Sequence, residues 1–176
     1  VLEPKAKGSY FLIVSRLGAY KRIDLAIEAA NRLKIPLKIV GTGKEEKRLR
    51  RLAGPTVELL GFVRDERLAG VYAGCRALIL PAAEDFGIAP VEAMSFGKPV
   101  IALAEGGALE TVRAGKTGEF FEEETAKSLA EVWRLFDPSK YQAQDCLNQA
   151  KRFSKERFQK EFSDFVELRL KNARTT

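Results

Sequence analysis

The amino-acid sequence predicts an α/β fold, a Rossmann-like doubly wound parallel sheet with extra helices at its C-terminal end. Three observations predict it: short apolar runs rich in β-branched residues, amphipathic stretches of helical period between them, and their alternation along most of the chain. Runs that are apolar at nearly every position suit strands buried on both faces, and the intervening helices supply the right-handed crossovers that cover them.

Residues 10–14 (YFLIV) form the first strand. Ile23, Leu25, Ala26, Ile27, Ala29, Ala30 and Leu33 then recur at the spacing of a helix with one buried stripe. A strand at 37–40 (LKIV), a helix over 45–53, a strand at 57–60 (VELL) and a helix over 66–73 continue the pattern. Next come a strand at 77–80 (ALIL), a helix over 88–96, a strand at 99–102 (PVIA), a weaker strand at 118–121 (GEFF) and a helix over 125–136. After Asp137-Pro138 the strands stop, and 142–153 and 155–170 read as two helices. Phe158, Phe162, Phe165, Val166 and Leu170 share one face of the last, a stripe that either covers the sheet or docks on a partner domain. The end, 171–176, reads as frayed. No internal repeat or low-complexity segment interrupts the chain.

The 176 residues are 45% hydrophobic and 31% charged, which suits one globular domain. No apolar run approaches the roughly 18 residues of a membrane span. The start, Val1-Leu2-Glu3-Pro4-Lys5, lacks the basic and apolar regions of an export signal and reads as a mid-protein cut. Histidine is absent, and Cys75 and Cys146 are the two cysteines. These counts exclude Ser-His-Asp hydrolysis within the chain and leave neither a zinc site nor a disulfide framework. Both cysteines read as reduced, buried thiols of a cytosolic protein. Chemistry must therefore run on carboxylates, cations and backbone amides. Thirty Lys and Arg against 24 Asp and Glu give +6, which suits an anionic ligand but, spread along the chain, does not imply nucleic acid.

Ligands of such sheets sit beyond the carboxyl ends of the strands. After the first strand, Ser15-Arg16-Leu17-Gly18-Ala19-Tyr20-Lys21-Arg22 places cations and a glycine at the loop opening a helix. That combination suits a phosphate or diphosphate, or equally a solvated basic loop. After the second, Gly41-Thr42-Gly43-Lys44 lets the backbone approach something closely, yet it is neither a GxGxxG fingerprint nor a Walker A loop. NAD and ATP hydrolysis lose support accordingly. After the fourth, Glu84 and Glu92 are separated by seven residues, across a loop containing Asp85, Phe86, Gly87 and Ile88. One carboxylate falls at a strand end and the other about one turn into the next helix, so both can face one ligand. Glu92 on an apolar helix face is costly to bury without a partner or ligand hydroxyls. After the fifth, Glu105-Gly106-Gly107-Ala108-Leu109-Glu110 supplies another flexible turn at the same edge.

The stretch Glu84-Asp85-Phe86-Gly87 through Glu92-Ala93, with Ser15-Arg16-Leu17 through Tyr20-Lys21-Arg22-Ile23-Asp24 and Gly106-Gly107-Ala108-Leu109-Glu110-Thr111, resembles the C-terminal, donor-binding half of the group 1 glycosyltransferases. These are the retaining enzymes of family 4 with the GT-B fold. The similarity runs from about Tyr10 to the C-terminus, and the wording is closest to mannosyltransferases of polysaccharide assembly.

The resemblance implies that Arg16 and Lys21 hold the donor diphosphate, that Glu84 meets the sugar hydroxyls and that Glu92 binds the ribose hydroxyls. Phe86, Gly87 and Ile88 would offer backbone amides to sugar and phosphates. The turn Gly61-Phe62-Val63-Arg64-Asp65 would lie by the base, with Asp65 accepting from guanine; a helix N-cap is an equal use of Asp65, and Phe62 and Val63 are equally packing residues. Gly18, Gly41, Gly43 and Asp85 complete the donor-binding set. With Arg16, Lys21 and Glu84 as the catalytic set, the expected activity is transfer of a hexose, mannose from GDP-mannose, to a glycan or lipid-linked acceptor with retention of configuration. No metal or cofactor is expected, because two cations do the charge work. The resemblance further implies that residues 1–176 are the nucleotide-sugar domain, with 138–171 a helical extension. An N-terminal acceptor domain would lie outside this chain, which alone would bind donor and transfer little. The expected location is the cytoplasm, the full-length enzyme acting at the membrane's cytoplasmic face on a lipid-linked acceptor.

Alternatives differ in kind. A UDP-sugar-dependent transferase keeps the same residues, a non-catalytic nucleotide-sugar-binding module uses Arg16 and Lys21 without needing Glu84, and a GT-B phosphorylase would need a lysine-bound pyridoxal phosphate. A structural or interaction domain gives no reason for cations, glycines and both glutamates to fall at one sheet edge.

Overall fold

A computed structural model describes residues 8–173, with side chains to 171. The expected cut at Val1–Lys5 and the far end of the frayed segment, 174–176, lie outside the described residues. Six parallel strands form one sheet: β1 (Tyr10–Val14), β2 (Leu37–Val40), β3 (Val57–Gly61), β4 (Cys75–Leu80), β5 (Val100–Leu103) and β6 (Gly118–Phe121), in the order β3-β2-β1-β4-β5-β6. Strand order reverses between β1 and β4, the point where doubly wound sheets hold ligands.

Helices α1 (Ile23–Leu33), α2 (Glu46–Leu52) and α6 (Ala126–Leu135) cover one face, and α3 (Asp65–Gly74), α4 (Ile88–Ser95), the short α5 (Ala108–Thr111) and α7 (Ala143–Lys151) cover the other. Alternation along β1 divides its side chains between them. Phe11 and Ile13 enter a core with Ile27, Ile39 and Ile79, where Trp133 packs edge-on against Phe11 with ring centroids 4.9 Å apart. Leu12 points into the opposite core with Tyr72, Leu78 and Met94. Burying each such side chain contributes roughly 1.5–3 kcal/mol, which is why these runs stay apolar on both faces.

The predicted elements stand within a few residues of the observed ones. β4 begins at Cys75, because α3 runs into it without a loop, and β5 is shifted one residue later than expected. The last helix, α8 (Lys155–Ala173), continues past the expected end at Leu170. Its stripe does not cover the sheet: Phe158, Phe162 and Phe165 are exposed, and it is α7, packed against α4, that closes that face. Both cysteines are buried and free, as expected. Among the described residues no helix is long and apolar enough to cross a membrane.

Candidate functional site

The loops after β1, β2, β3 and β4 bring every sequence-predicted site residue to the carboxyl edge of the sheet except Glu92, which lies one turn inside α4. The β1 loop turns through a short 3-10 segment, Ala19–Lys21, and enters α1 at Arg22. Arg22 holds a left-handed backbone (φ 45°, ψ 36°), costly for a residue with a Cβ. Its guanidinium pairs with Glu124 and, at 3.6 Å, with Asp24. Asp24 also takes Arg48 at 3.1 Å, so Arg22 belongs to an ion-pair network rather than to the ligand cations that sequence reading grouped it with.

Lys21 points across the switch point. Its ammonium sits 4.9 Å from the Tyr20 ring centroid and donates a hydrogen bond to Glu84 Oε1, in the loop after β4. Both side chains are mostly buried, so this pair is shielded from solvent more than the exposed pairs elsewhere. Arg16, by contrast, is exposed and makes no ion pair among the described residues. One cation of the loop is held by a carboxylate and the other is open to an incoming anion.

Glycines position both loops. A Cβ at Gly41 would stand 1.8 Å from the Ser15 carbonyl oxygen, and one at Gly106 would stand 2.4 Å from that of Glu84. Gly43 and Gly107 press on the same neighbours, Leu17 and the Asp85–Phe86 backbone. What the 41–43 turn approaches closely is therefore the β1 loop, closed by Leu17 N–H donating to the Thr42 carbonyl at 2.9 Å. The 105–107 turn is likewise not a free, flexible turn. Gly106 forms a bridge to Glu84, Gly107 N–H donates to the Glu84 carbonyl at 2.7 Å, and α5 follows at once. The Glu84 backbone is thus fixed from β5 and its side chain from β1.

Gly87 adopts φ 81° and opens α4, with Asp85, Phe86 and Ile88 exposed around it. The Phe86 ring meets Phe153, from the α7–α8 junction, edge-on at 5.5 Å. Glu92 is not the buried carboxylate its apolar neighbours suggested: it is exposed, and its partner is the Tyr72 hydroxyl, which donates to Oε2 at 2.6 Å. Tyr72 is 2% exposed and lies parallel to Phe96 at 5.4 Å, and burial together with the adjacent carboxylate pushes its hydroxyl pKa well up. Beyond β3, Phe62 is 76% exposed, while Val63 packs on the core beside α3. Asp65 is the first residue of α3 and Arg64 is its N-cap, so Asp65 does not cap the helix but adds a negative charge to its first turn. Three strand spacings separate β3 from β4, about 14 Å, which spreads these groups along the edge.

Sequence reasoning missed Tyr72 and Phe153. Neither carries a local signal, since each meets its partner only through the packing of α3 and α7 on α4.

The family described as Glycosyl transferases group 1 matches residues 1–153. A glycogen synthase of Pseudomonas aeruginosa is 36% identical over 72% of this chain and 26% of its own length. O-antigen chain mannosyltransferase C of Escherichia coli is 31% identical over 56% of this chain and 28% of its own. Among solved structures, a sucrose-phosphate synthase of Thermosynechococcus elongatus superposes with a TM-score of 0.83 at 23% identity, over 96% of this chain and 47% of that one. Anabaena Alr3699/HepE in complex with UDP-glucose gives 0.77 at 26% identity, over 92% of this chain and 49% of that one. The chain spans 26% to 39% of the length of the first curated relatives it matches.

Proposed function

This chain belongs to the group 1 glycosyl transferases, and on that premise we propose that it is the donor-binding half of a retaining hexosyltransferase. An N-terminal acceptor domain of the same protein completes the enzyme, a reading supported by the fraction of its relatives that the chain spans. The observation that carries the proposal is the Lys21–Glu84 pair at the switch point, with Arg16 of the same loop making no ion pair among the described residues. A cation for a diphosphate and a carboxylate for sugar hydroxyls are held within one contact of each other.

Departure of a nucleoside diphosphate leaves negative charge on the β-phosphate while the sugar gains oxocarbenium character. Arg16 and Lys21 stabilise that leaving group, and the Phe86–Ile88 amides at the start of α4 add partial positive charge. Glu84 orients the sugar through its hydroxyls, and Glu92, oriented by Tyr72, takes the ribose. Gly18, Gly41 and Gly43 shape the backbone around the phosphates, with Asp85 beside them. No metal or other cofactor takes part in this reading. The acceptor is a glycan or lipid-linked glycan, the enzyme working in the cytoplasm and, for a lipid-linked acceptor, against the membrane.

For the donor we propose GDP-mannose, with Phe62, Val63 and Asp65 around the guanine. The likeness to a mannosyltransferase and the exposed Asp65 carboxylate beyond β3 support it. A UDP-sugar is the second reading, favoured by the likeness to a protein solved with UDP-glucose. Calorimetric titration with GDP, UDP, GDP-mannose and UDP-glucose tests both. Selective GDP and GDP-mannose binding, lost in Lys21→Ala and Glu92→Ala, is the expected result. Preference for UDP would keep the transferase and overturn mannose. If none of the four binds the chain or the full-length protein, the donor-domain reading fails.

A further inference from the structure

At the opposite edge of the sheet, where β6 begins, a cavity of about 180 Å³ opens between the turn after α5 and helix α7. Every residue that lines it is polar or charged, among them Arg113, Lys116, Asp145, Gln149 and Arg152. Elsewhere the protein pairs many of its basic side chains with carboxylates, as at Lys38, Arg48 and Arg50. Here Arg113, Lys116 and Arg152 have no ion pair among the described residues, and Asp145 pairs with none of them. Three cations against one carboxylate leave an uncompensated positive concavity, which focuses field on whatever anion enters.

The cations stand on a buried framework. Gln149, 3% exposed, donates from Nε2 to the Thr111 carbonyl at 2.9 Å and accepts at Oε1 from Arg152 Nη1 at 3.2 Å. It therefore ties the helix to the turn and aims one guanidinium. Thr117, 1% exposed, accepts from the Arg113 backbone N–H at 2.8 Å and fixes the base of the second. Asp145 lies in the first turn of α7, where it complements the helix dipole.

We infer that this cavity is a second anion site, built for a phosphoryl group and separate from the switch point. Two guanidinium forks and an ammonium match the tetrahedral oxygens of a phosphate monoester, and such pairing is stronger than neutral hydrogen bonding. The phosphoryl group comes either from a soluble phosphate ester or from a lipid headgroup; the chemistry recognised is the same.

The test is titration of the chain with inorganic phosphate at constant ionic strength, chloride serving as the control. In an Arg16→Ala background, which removes the free cation of the switch point, replacing both Arg113 and Lys116 by Gln weakens phosphate binding by on the order of tenfold or more. Asp145→Asn, which removes the one repelling charge, tightens it roughly threefold or more, a gain that misfolding cannot mimic. Vesicles of phosphatidylcholine with phosphatidic acid distinguish the sources. Binding to them that is lost in the double variant supports the headgroup, and phosphate binding without vesicle binding supports a soluble ester. Phosphate binding no tighter than chloride, or equal in the chain and its double variant, overturns the site.

Discussion

Lys21 Nζ donates to Glu84 Oε1 across the reversal of strand order, joining residues 63 positions apart, with side chains only 16% and 22% exposed. Each neutralises the other while no ligand is present. In the proposed function they have different partners, so a donor must draw the ammonium to its diphosphate and release the carboxylate to its sugar. A free nucleoside diphosphate offers only the first exchange and leaves Glu84 facing phosphate. Glu84→Gln therefore tightens free nucleoside diphosphate by roughly threefold to tenfold and narrows or reverses the preference for the intact nucleotide sugar. Lys21→Ala weakens both. Calorimetry with each ligand checks this, and weaker nucleoside diphosphate binding by Glu84→Gln would refute the exchange.

The Tyr72–Glu92 hydrogen bond gives a second prediction. Tyr72→Phe keeps the ring on Phe96 and removes only the donor to Oε2. Loss of that bond costs about 1 kcal/mol of stability at most, because Glu92 is exposed and water replaces the hydroxyl. With the full-length enzyme, KM for the donor rises several-fold while kcat stays close to the parent value, as the proposed function requires if Tyr72 positions Glu92 for the ribose. A fall in kcat at unchanged KM would assign Tyr72 a different role.

Much of this architecture is legible in the sequence, for a physical reason. Strands such as YFLIV and ALIL are buried on both faces, so their composition alone marks them, and α1 announces itself through one continuous apolar stripe. The switch-point loops were legible because they combine cations, carboxylates and glycines in short stretches. Pairing was not. Nothing near Lys21 names Glu84 as its partner, nothing near Arg22 names Glu124, and Tyr72 reads as a core aromatic until α3 is packed on α4. The glycines of 41–43 imply that something approaches closely without saying that it is the neighbouring loop, and 105–107 reads as a flexible turn although its backbone is pinned to Glu84. The four-residue α5 and the left-handed Arg22 carry no signal in the sequence, because tertiary packing rather than local propensity sets them.

Those loop-on-loop contacts make the glycines structural. Gly41→Ala places a methyl against the Ser15 carbonyl and forces a Cβ onto φ 136°; Gly106→Ala does the same to the Glu84 carbonyl at φ 62°. Each substitution destabilises by about 2–3 kcal/mol or more, lowering Tm by roughly 5–10 °C for a domain of this size. Gly70→Ala, where a Cβ meets nothing within 4 Å and the backbone is helical, leaves Tm near its parent value. Thermal unfolding of the three variants measures this directly. Equal Tm values for Gly41→Ala and Gly70→Ala would contradict the close approach.

The thiols provide a pH-dependent prediction. Burial, the dominant cause at both sites, pushes Cys75 and Cys146 up to about 12, the nearby Asp145 carboxylate adding to the shift at Cys146 and Lys98 opposing it at Cys75. Folded values above the unfolded value of about 9 mean that, between the two, the unfolded chain has released protons that the fold still holds. The stabilisation is complete below pH 9 and is lost as pH rises toward 12, and the raised Tyr72 hydroxyl acts in the same direction. Denaturation midpoints are therefore flat from neutrality to about pH 9 and fall above it, with a shallower fall in Cys75→Ala. At pH 8 the native protein resists a thiol-specific disulfide reagent, while the unfolded chain reacts at both cysteines. Rapid labelling of either cysteine in the native state would show that its burial is transient on the labelling timescale, and the predicted alkaline slope would shrink accordingly.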